Sequence, residues 1–154
     1  MIHQLNLPEF KPRIRDDSGK KEIFDRFRKK FIRLTPEEWV RQHFLDFMVT
    51  RLKFPASLIV VEASLIFNGM TKRFDILAYN TSGNPCLVVE CKAPSREITQ
   101  DVFDQVAIYN MTLAVNYLVV TNGLTHYCCR IDHQARAYTF LKEIPTFEIV
   151  NRTS

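Results

Sequence analysis

The hydrophobic pattern changes period several times along the chain. Phe10, Pro12 and Ile14 alternate with polar residues, Asp16-Asp17-Ser18-Gly19-Lys20 carries turn chemistry, and Glu22-Ile23-Phe24 follows, which predicts a small hairpin. Thr35-Pro36-Glu37-Glu38 then opens a helix: Thr caps, Pro suits the first helical position, and Glu38 stands third after the cap. Val40, Phe44, Phe47 and Met48, with Arg51 a turn later, set one stripe at helical spacing, and the helix should end before Pro55.

Strand patterns come next. Ser57 to Phe67 is rich in Val, Ile and Leu, and Lys72 to Tyr79 alternates, with Phe74, Ile76 and Ala78 predicted on one face and Arg73, Asp75, Leu77 and Tyr79 on the other. Asn80 to Pro85 is a turn into the apolar run Cys86 to Lys92, which Pro94 ends. Thr99 caps a second helix with Val102, Val106, Tyr109 and Leu113 as its core stripe. Asn116 to Thr121 reads as a strand, Asn122-Gly123 turns into His126 to Ile131, and Tyr138 to Leu141 is a further strand. The result is an α/β fold, a mixed central sheet flanked by helices. The strand after the second helix should run parallel to the one before it, through a right-handed crossover.

Composition narrows the class. The 154 residues suit one domain, and 46% hydrophobic content suits a packed core. No apolar leader or membrane-length run is visible, so a soluble, cytoplasmic protein with no membrane partner is expected. Cys86, Cys91, Cys128 and Cys129 lack zinc-site spacing and read as small buried hydrophobes on strands. The histidines, His3, His43, His126 and His133, also lack metal-ligand spacing, and Trp39 reads as helix packing. Charge is segregated: of 21 basic and 17 acidic residues, residues 11 to 33 hold ten and four, leaving the remainder slightly acidic. Such a region can hold a phosphate backbone without reading sequence. A solvated surface would look the same.

The chemistry lies in Val88-Val89-Glu90-Cys91-Lys92. A period of two puts Glu90 and Lys92 on one face of an apolar, hence central, strand, where charges are costly unless paired or metal-bound. Asp75, across the hairpin, can present a second carboxylate to the same spot. Two carboxylates beside an ammonium suit metal-assisted phosphodiester hydrolysis: Mg²⁺ takes one or two carboxylates and fills its octahedron with water and phosphate. The Cys91 main-chain carbonyl is a further candidate ligand, and Lys92 a candidate for orienting the nucleophile or stabilising developing charge. Glu-x-Lys alone is weak and its bland reading is a surface salt bridge. With Asp75 before it and Gln105 and Tyr109 one helical turn apart after it, the set is far more specific.

Phe74-Asp75, fourteen residues, Glu90-Cys91-Lys92 and then Gln105-x-x-x-Tyr109 resembles the PD-(D/E)xK nuclease superfamily, most nearly the N-terminal nuclease domain of type I restriction enzyme R subunits. Thr35 to Gln42 (TPEEWVRQ) and Leu87 to Pro94 (LVVECKAP) look like that family, and the likeness spans roughly Thr35 to Tyr127. It implies a restriction-endonuclease-like core over 35–154, preceded by a basic hairpin extension over 1–34. It also implies a DNA endonuclease using Mg²⁺ or Mn²⁺, with Asp75 and Glu90 as metal ligands and Lys92 as the catalytic lysine. Gln105 and Tyr109 match a motif lying beside the site. Phe74 stands where the family's pattern has proline. An acid from the first helix is also implied: Glu37, spaced with Val40, is preferred, and Glu38 is the alternative. Glu62, inside an apolar run, either borders the site or pairs with Arg73.

No G-x-x-x-x-G-K-[ST] stretch occurs, so this chain carries no ATP motor. The resemblance names DNA as partner and leaves open a separate restriction, helicase or modification subunit, or a homodimer that would deliver two cuts to a duplex. A catalytically silent module of the same fold, gripping nucleic acid or a partner through the basic first third, is the alternative. A ribonuclease is a third reading, because metal chemistry at phosphorus does not inspect the 2′-hydroxyl.

Overall fold

A computed structural model describes residues 3–111 and 113–153, with the backbone alone for Phe67, Tyr109 and Met111. The basic first third forms β1 (Ile14–Asp17), β2 (Lys20–Asp25) and β3 (Lys30–Arg33), an antiparallel sheet in which the predicted hairpin gains a third strand. The missed strand, Lys30-Phe31-Ile32-Arg33, is too short for its alternation to stand out against the surrounding charge run. Helix α1 (Pro36–Thr50) begins as predicted, with the Thr35 hydroxyl accepting the Glu38 N–H at 3.1 Å.

A single 3-10 turn (Ala56–Leu58) leads into the main sheet: β4 (Ile59–Phe67), β5 (Met70–Tyr79) and β6 (Pro85–Cys91), then α2 (Gln100–Met111), then β7 (Tyr117–Thr121), β8 (His126–Asp132) and β9 (Ala137–Leu141). Strand order is β4-β5-β6-β7-β8-β9, with β6 and β7 parallel and every other pair antiparallel. The central apolar strand is therefore β6, and the crossover through α2 delivers its parallel neighbour. This mixed six-stranded sheet flanked by helices is the α/β fold that the pattern predicted. A short helix, α3 (Phe147–Thr153), closes the chain. It went unforeseen because seven residues give too little period to read.

Two cores face opposite sides of the sheet. Val40, Phe44, Leu45 and Met48 of α1, with Val150 of α3, pack on Val61, Ile76, Ala78, Val89 and Val119. Phe103 and Ala107 of α2 pack on Phe74, Leu77, Val88, Leu118 and Val120 on the other side. Two expected stripes shift. Among the described side chains of α2 the buried positions are Phe103, Ala107 and Asn110 rather than Val102 and Val106, which are half-buried, so the helix is rotated by about one residue from the predicted face. In α1 burial extends from Glu38 through Leu45, because the first sheet and the N-terminal strand-like segment cover its outer side. Trp39 is among these buried residues and donates its indole N–H to the His3 carbonyl at 2.8 Å. All four cysteines are free and buried. No helix is long and apolar enough to cross a membrane.

The turn after β7 anchors that covering segment. Asn122 accepts the Leu124 and Thr125 N–H groups, and Gly123 (φ +85°) donates its N–H to the Thr121 hydroxyl while its carbonyl takes the Asn6 N–H. A Cβ at Gly123 would lie 2.7 Å from a Leu5 methyl and 3.1 Å from a Val40 methyl. Gly123→Ala is expected to cost roughly 1–3 kcal/mol, from left-handed strain plus displacement of Leu5, measured by urea denaturation. The same change at Gly69, whose Cβ direction is open, should cost only the strain, about 1 kcal/mol; equal losses at both would count against the Leu5 contact.

Candidate active site

Strands β4 and β5 pair with one constant register, yet they roll over at a single point. Val61 and Ile76 are paired and pack on the α1 side, whereas Ala63 and Phe74, paired two residues further on, pack on the α2 side. Two residues along a strand should restore the same face. Between them lie Glu62 and Asp75, opposite one another, and Glu62 has φ +53°, a left-handed conformation that non-glycine residues seldom adopt in a strand. Phe74 thus leaves the face it was predicted to share with Ile76 and Ala78.

This kink frees Asp75. The β5–β6 ladder ends at Ile76↔Val89, so Asp75 and Glu90 face each other where the strands part. The Asp75 carboxylate accepts the Cys91 N–H at 2.7 Å, doing for β6 what a β5 carbonyl does elsewhere. The Cys91 N–H and C=O both point toward β5, as the two groups of one strand residue do, while the Lys92 N–H turns the other way to the Thr121 carbonyl at 2.8 Å.

Glu90 is mostly shielded from solvent. Burial, then the Asp75 charge, raise its carboxyl to about 8; Lys92 and Arg41 pull it down, and a hydrogen bond with Asp75 pushes it up again. Two carboxyls close enough to share a proton, next to a lysine, form a hard oxygen donor set that one divalent cation can take in the proton's place. Among the described residues no cluster of three or more His, Cys, Asp or Glu side chains is arranged to hold a metal. The candidate set is two carboxylates and a main-chain carbonyl, which suits an ion that keeps several waters.

Across a cleft of about 300 Å³, Gln105 and Val106 of α2 face Glu90 and Arg73. Asp75, Glu90, Lys92 and Gln105 are therefore brought to one place. The Tyr109 side chain lies outside the described residues. Glu37, preferred from the sequence, is exposed, whereas Glu38 is 3% exposed and reaches the cluster through Arg41. The sequence spacing could not separate two neighbouring acids a hundred degrees apart on a helix. Glu38 does not turn back to cap: its carboxylate takes Arg28 at 2.9 Å, Gln42 at 2.9 Å and Arg41 at 3.2 Å.

Two arginines that the sequence reading did not single out complete the site. Arg28 pairs with Asp25, Glu38 and, at 3.1 Å, Glu62. Arg41 pairs with Glu38 and lies 3.6 Å from Glu62 and 3.8 Å from Asp75. The charges alternate from Asp25 in the first sheet to Asp75 in the second. Glu62 pairs with these two arginines rather than with Arg73. Arg41 follows Glu38 by three residues on α1, a spacing that marks shared helix faces, and this was the one available signal.

Without metal, the raised Glu90 carboxyl makes stability depend on pH. The folded state holds a proton that the unfolded chain releases near 4.5, so stability falls as pH rises from there to about 8 and is level above. In EDTA the wild type is expected to lose on the order of 2 kcal/mol over that window relative to Glu90→Gln, after discounting for partial exposure. Urea melts at pH 5 and pH 8 decide it; parallel declines in both proteins would remove Glu90 as the source.

Comparison with known proteins follows the same lines. The family model for the type I restriction enzyme R protein N terminus (HSDR_N) matches residues 36–145, well over half of the chain. A structure described as a fragment of an HsdR subunit of a type I restriction enzyme from Vibrio vulnificus YJ016 is similar at 24% identity and TM-score 0.44, over 61% of this chain and 20% of that one. This chain thus spans about a fifth of that protein's length. No curated protein matches.

Proposed function

Because the chain belongs to the family of type I restriction enzyme R protein N-termini, we propose that it is a restriction-type nuclease domain, a metal-dependent endonuclease acting on DNA. The observation that carries this is the meeting of Asp75 and Glu90 beside Lys92 where β5 and β6 part. Asp75, Glu90 and the Cys91 carbonyl would hold Mg²⁺ or Mn²⁺, which when bound acidifies a water and neutralises charge on phosphorus. Lys92 then orients the attacking water or offsets charge on the phosphate oxygens. The Asp75 carboxylate is fixed by the Cys91 N–H, and Gln105 borders the cleft into which a scissile phosphate would enter. Glu38, through Arg41, positions Asp75 rather than touching the reacting atoms.

The partners that fit this reading are DNA and, as in the restriction enzymes whose R proteins give the family its name, separate subunits. The test is incubation of supercoiled plasmid and labelled single-stranded DNA with MgCl₂, MnCl₂ or EDTA. Cutting in either metal and none in EDTA is expected. Metal-independent cutting would overturn the assignment. Binding with no cutting in any metal would replace it with a silent module of the same fold.

A further inference from the structure

The register of the first sheet sorts its ten-cation segment onto two unlike faces. Ile14, Ile23 and Ile32 are cross-strand neighbours on one face, and Ile23 and Asp25 of the central strand are fully buried, so that side turns inward there while Ile14 at the edge stays exposed. The opposite face carries Arg15, Glu22 and Arg33 as one row and Arg13, Phe24 and Phe31 as the next. Arg13, Arg15 and Arg33 are exposed, while Phe24 and Phe31 are half-buried beneath them.

These groups are organised. The two rings meet edge-on at 5.3 Å, with the Arg13 guanidinium 4.6 Å from Phe24 and that of Arg15 4.0 Å from Phe31. Glu22 holds the Arg15 Nε at 2.7 Å. A guanidinium over a ring can still donate to phosphate from its remaining N–H groups, and Arg15 keeps its terminal nitrogens for this while Glu22 holds its Nε. Arg13 and Arg15 stand two residues apart on the strand, about 7 Å. Beside Phe24 a cleft of about 240 Å³ opens between the sheet and α1, lined by Phe10, Phe24 and Phe27, by Arg13 and Arg26, and by Asp46 of α1, which pairs with Arg26 at 3.7 Å. That exceeds the ~150 Å³ that admits a benzene-sized ring.

We propose that this arginine–phenylalanine face and its adjoining cleft bind a single strand of nucleic acid, with phosphates on Arg15 and Arg33 and an unstacked base at Arg13 and Phe24. Charge complementarity names a polyanion, and guanidinium groups over rings beside a ring-sized cleft favour one whose bases are exposed. A duplex would use the charges and leave the rings and the cleft idle. The face would hold the strand that the Asp75–Glu90–Lys92 site cuts, so its biological meaning rests on the nuclease reading. The binding itself does not. Arg28, reaching from the first sheet to Glu38 and Glu62, fixes the face relative to that site.

The experiment is fluorescence anisotropy of a labelled oligothymidine in EDTA, from 50 to 300 mM salt, with the full chain. Replacing Arg13, Arg15 and Arg33 together by Gln, all at exposed positions, should weaken binding at least tenfold at 100 mM salt. It should also lower the slope of log affinity against log salt by about 1.4, the counterion release of the two phosphate contacts at Arg15 and Arg33. Phe24→Leu, which keeps the apolar packing, should weaken binding about fivefold and leave the slope unchanged. Unaltered binding by the triple variant overturns the proposal. So does a duplex of equal length that competes better than the oligonucleotide, or polyglutamate that displaces it at equal charge, which would mark an acidic protein partner. A wild type that binds through this face yet never cuts in metal leaves the surface standing and removes the nuclease reading.

Discussion

Lys92→Ala is expected to lower metal-dependent cleavage by at least about 10²–10³-fold, the usual loss when one charge-stabilising donor is removed from a preorganised site, with little change in melting temperature. The fold should survive because the residue's structural contact is its backbone N–H on the Thr121 carbonyl, which alanine keeps. The loss has two parts. An ammonium is gone from beside the phosphate, and Glu90 loses the cation that most favours its ionised form, so metal competes less well with the proton. Raising the metal concentration or the pH should restore the second part and not the first. Asp75→Asn makes the companion test. Its amide oxygen can still accept the Cys91 N–H, so β6 stays in place while a ligand charge disappears, and cleavage should fall by a similar or larger factor. Activity near wild type in either variant would remove that residue from the site.

How far this was legible from the sequence depended on the range of the signal. The central strand announced itself, because Cys86-Leu87-Val88-Val89 is too apolar for an edge, and it is fully buried between β5 and β7. Asp75, Glu90, Lys92 and Gln105 were legible because alternation, turn length and helical spacing are local rules, and the topology then brings these residues together. The roll at Glu62 and Asp75 was not, since strict alternation holds only while both strands keep one face. A left-handed glutamate inside a strand is imposed by what surrounds it. That Glu38 rather than Glu37 joins the charge network has a related reason: its carboxylate is placed by Arg28, ten residues earlier in the turn between β2 and β3, and no local rule reaches that far. The pairing of Arg41 with Asp75 is likewise a contact between α1 and β5 that only the packed structure makes.

Arg41→Met is expected to destabilise the metal-free protein by about 1–2 kcal/mol, because it removes the cation beside a half-buried Asp75 and one of the two on buried Glu38. The guanidinium is about a tenth exposed, its Nη2 lies 3.2 Å from Glu38, and its Nη1 reaches toward Glu62 and Asp75. Arg28 stays with Glu38 and Glu62, so the loss falls mainly on Asp75. Arg41 is itself imperfectly satisfied: its buried Nε and Nη1 make no hydrogen bond. An apolar side chain of that length would serve packing better, so the charge has a use other than stability. A cation 3.8 Å from Asp75 neutralises the carboxylate when no metal is bound, and it repels a metal when one arrives. The two effects give Arg41→Met opposite signs in two measurements. Its urea midpoint in EDTA should drop, while its dissociation constant for Mn²⁺, measured by titration calorimetry or paramagnetic resonance, should fall about threefold to tenfold. Added Mg²⁺ should therefore stabilise the variant more than the wild type, since ligand stabilisation grows with the logarithm of occupancy. A destabilisation under 1 kcal/mol would show that Asp75 does not depend on this arginine. Weaker Mn²⁺ binding in the variant would instead mean that Arg41 orients Asp75 for the metal more than it competes with it.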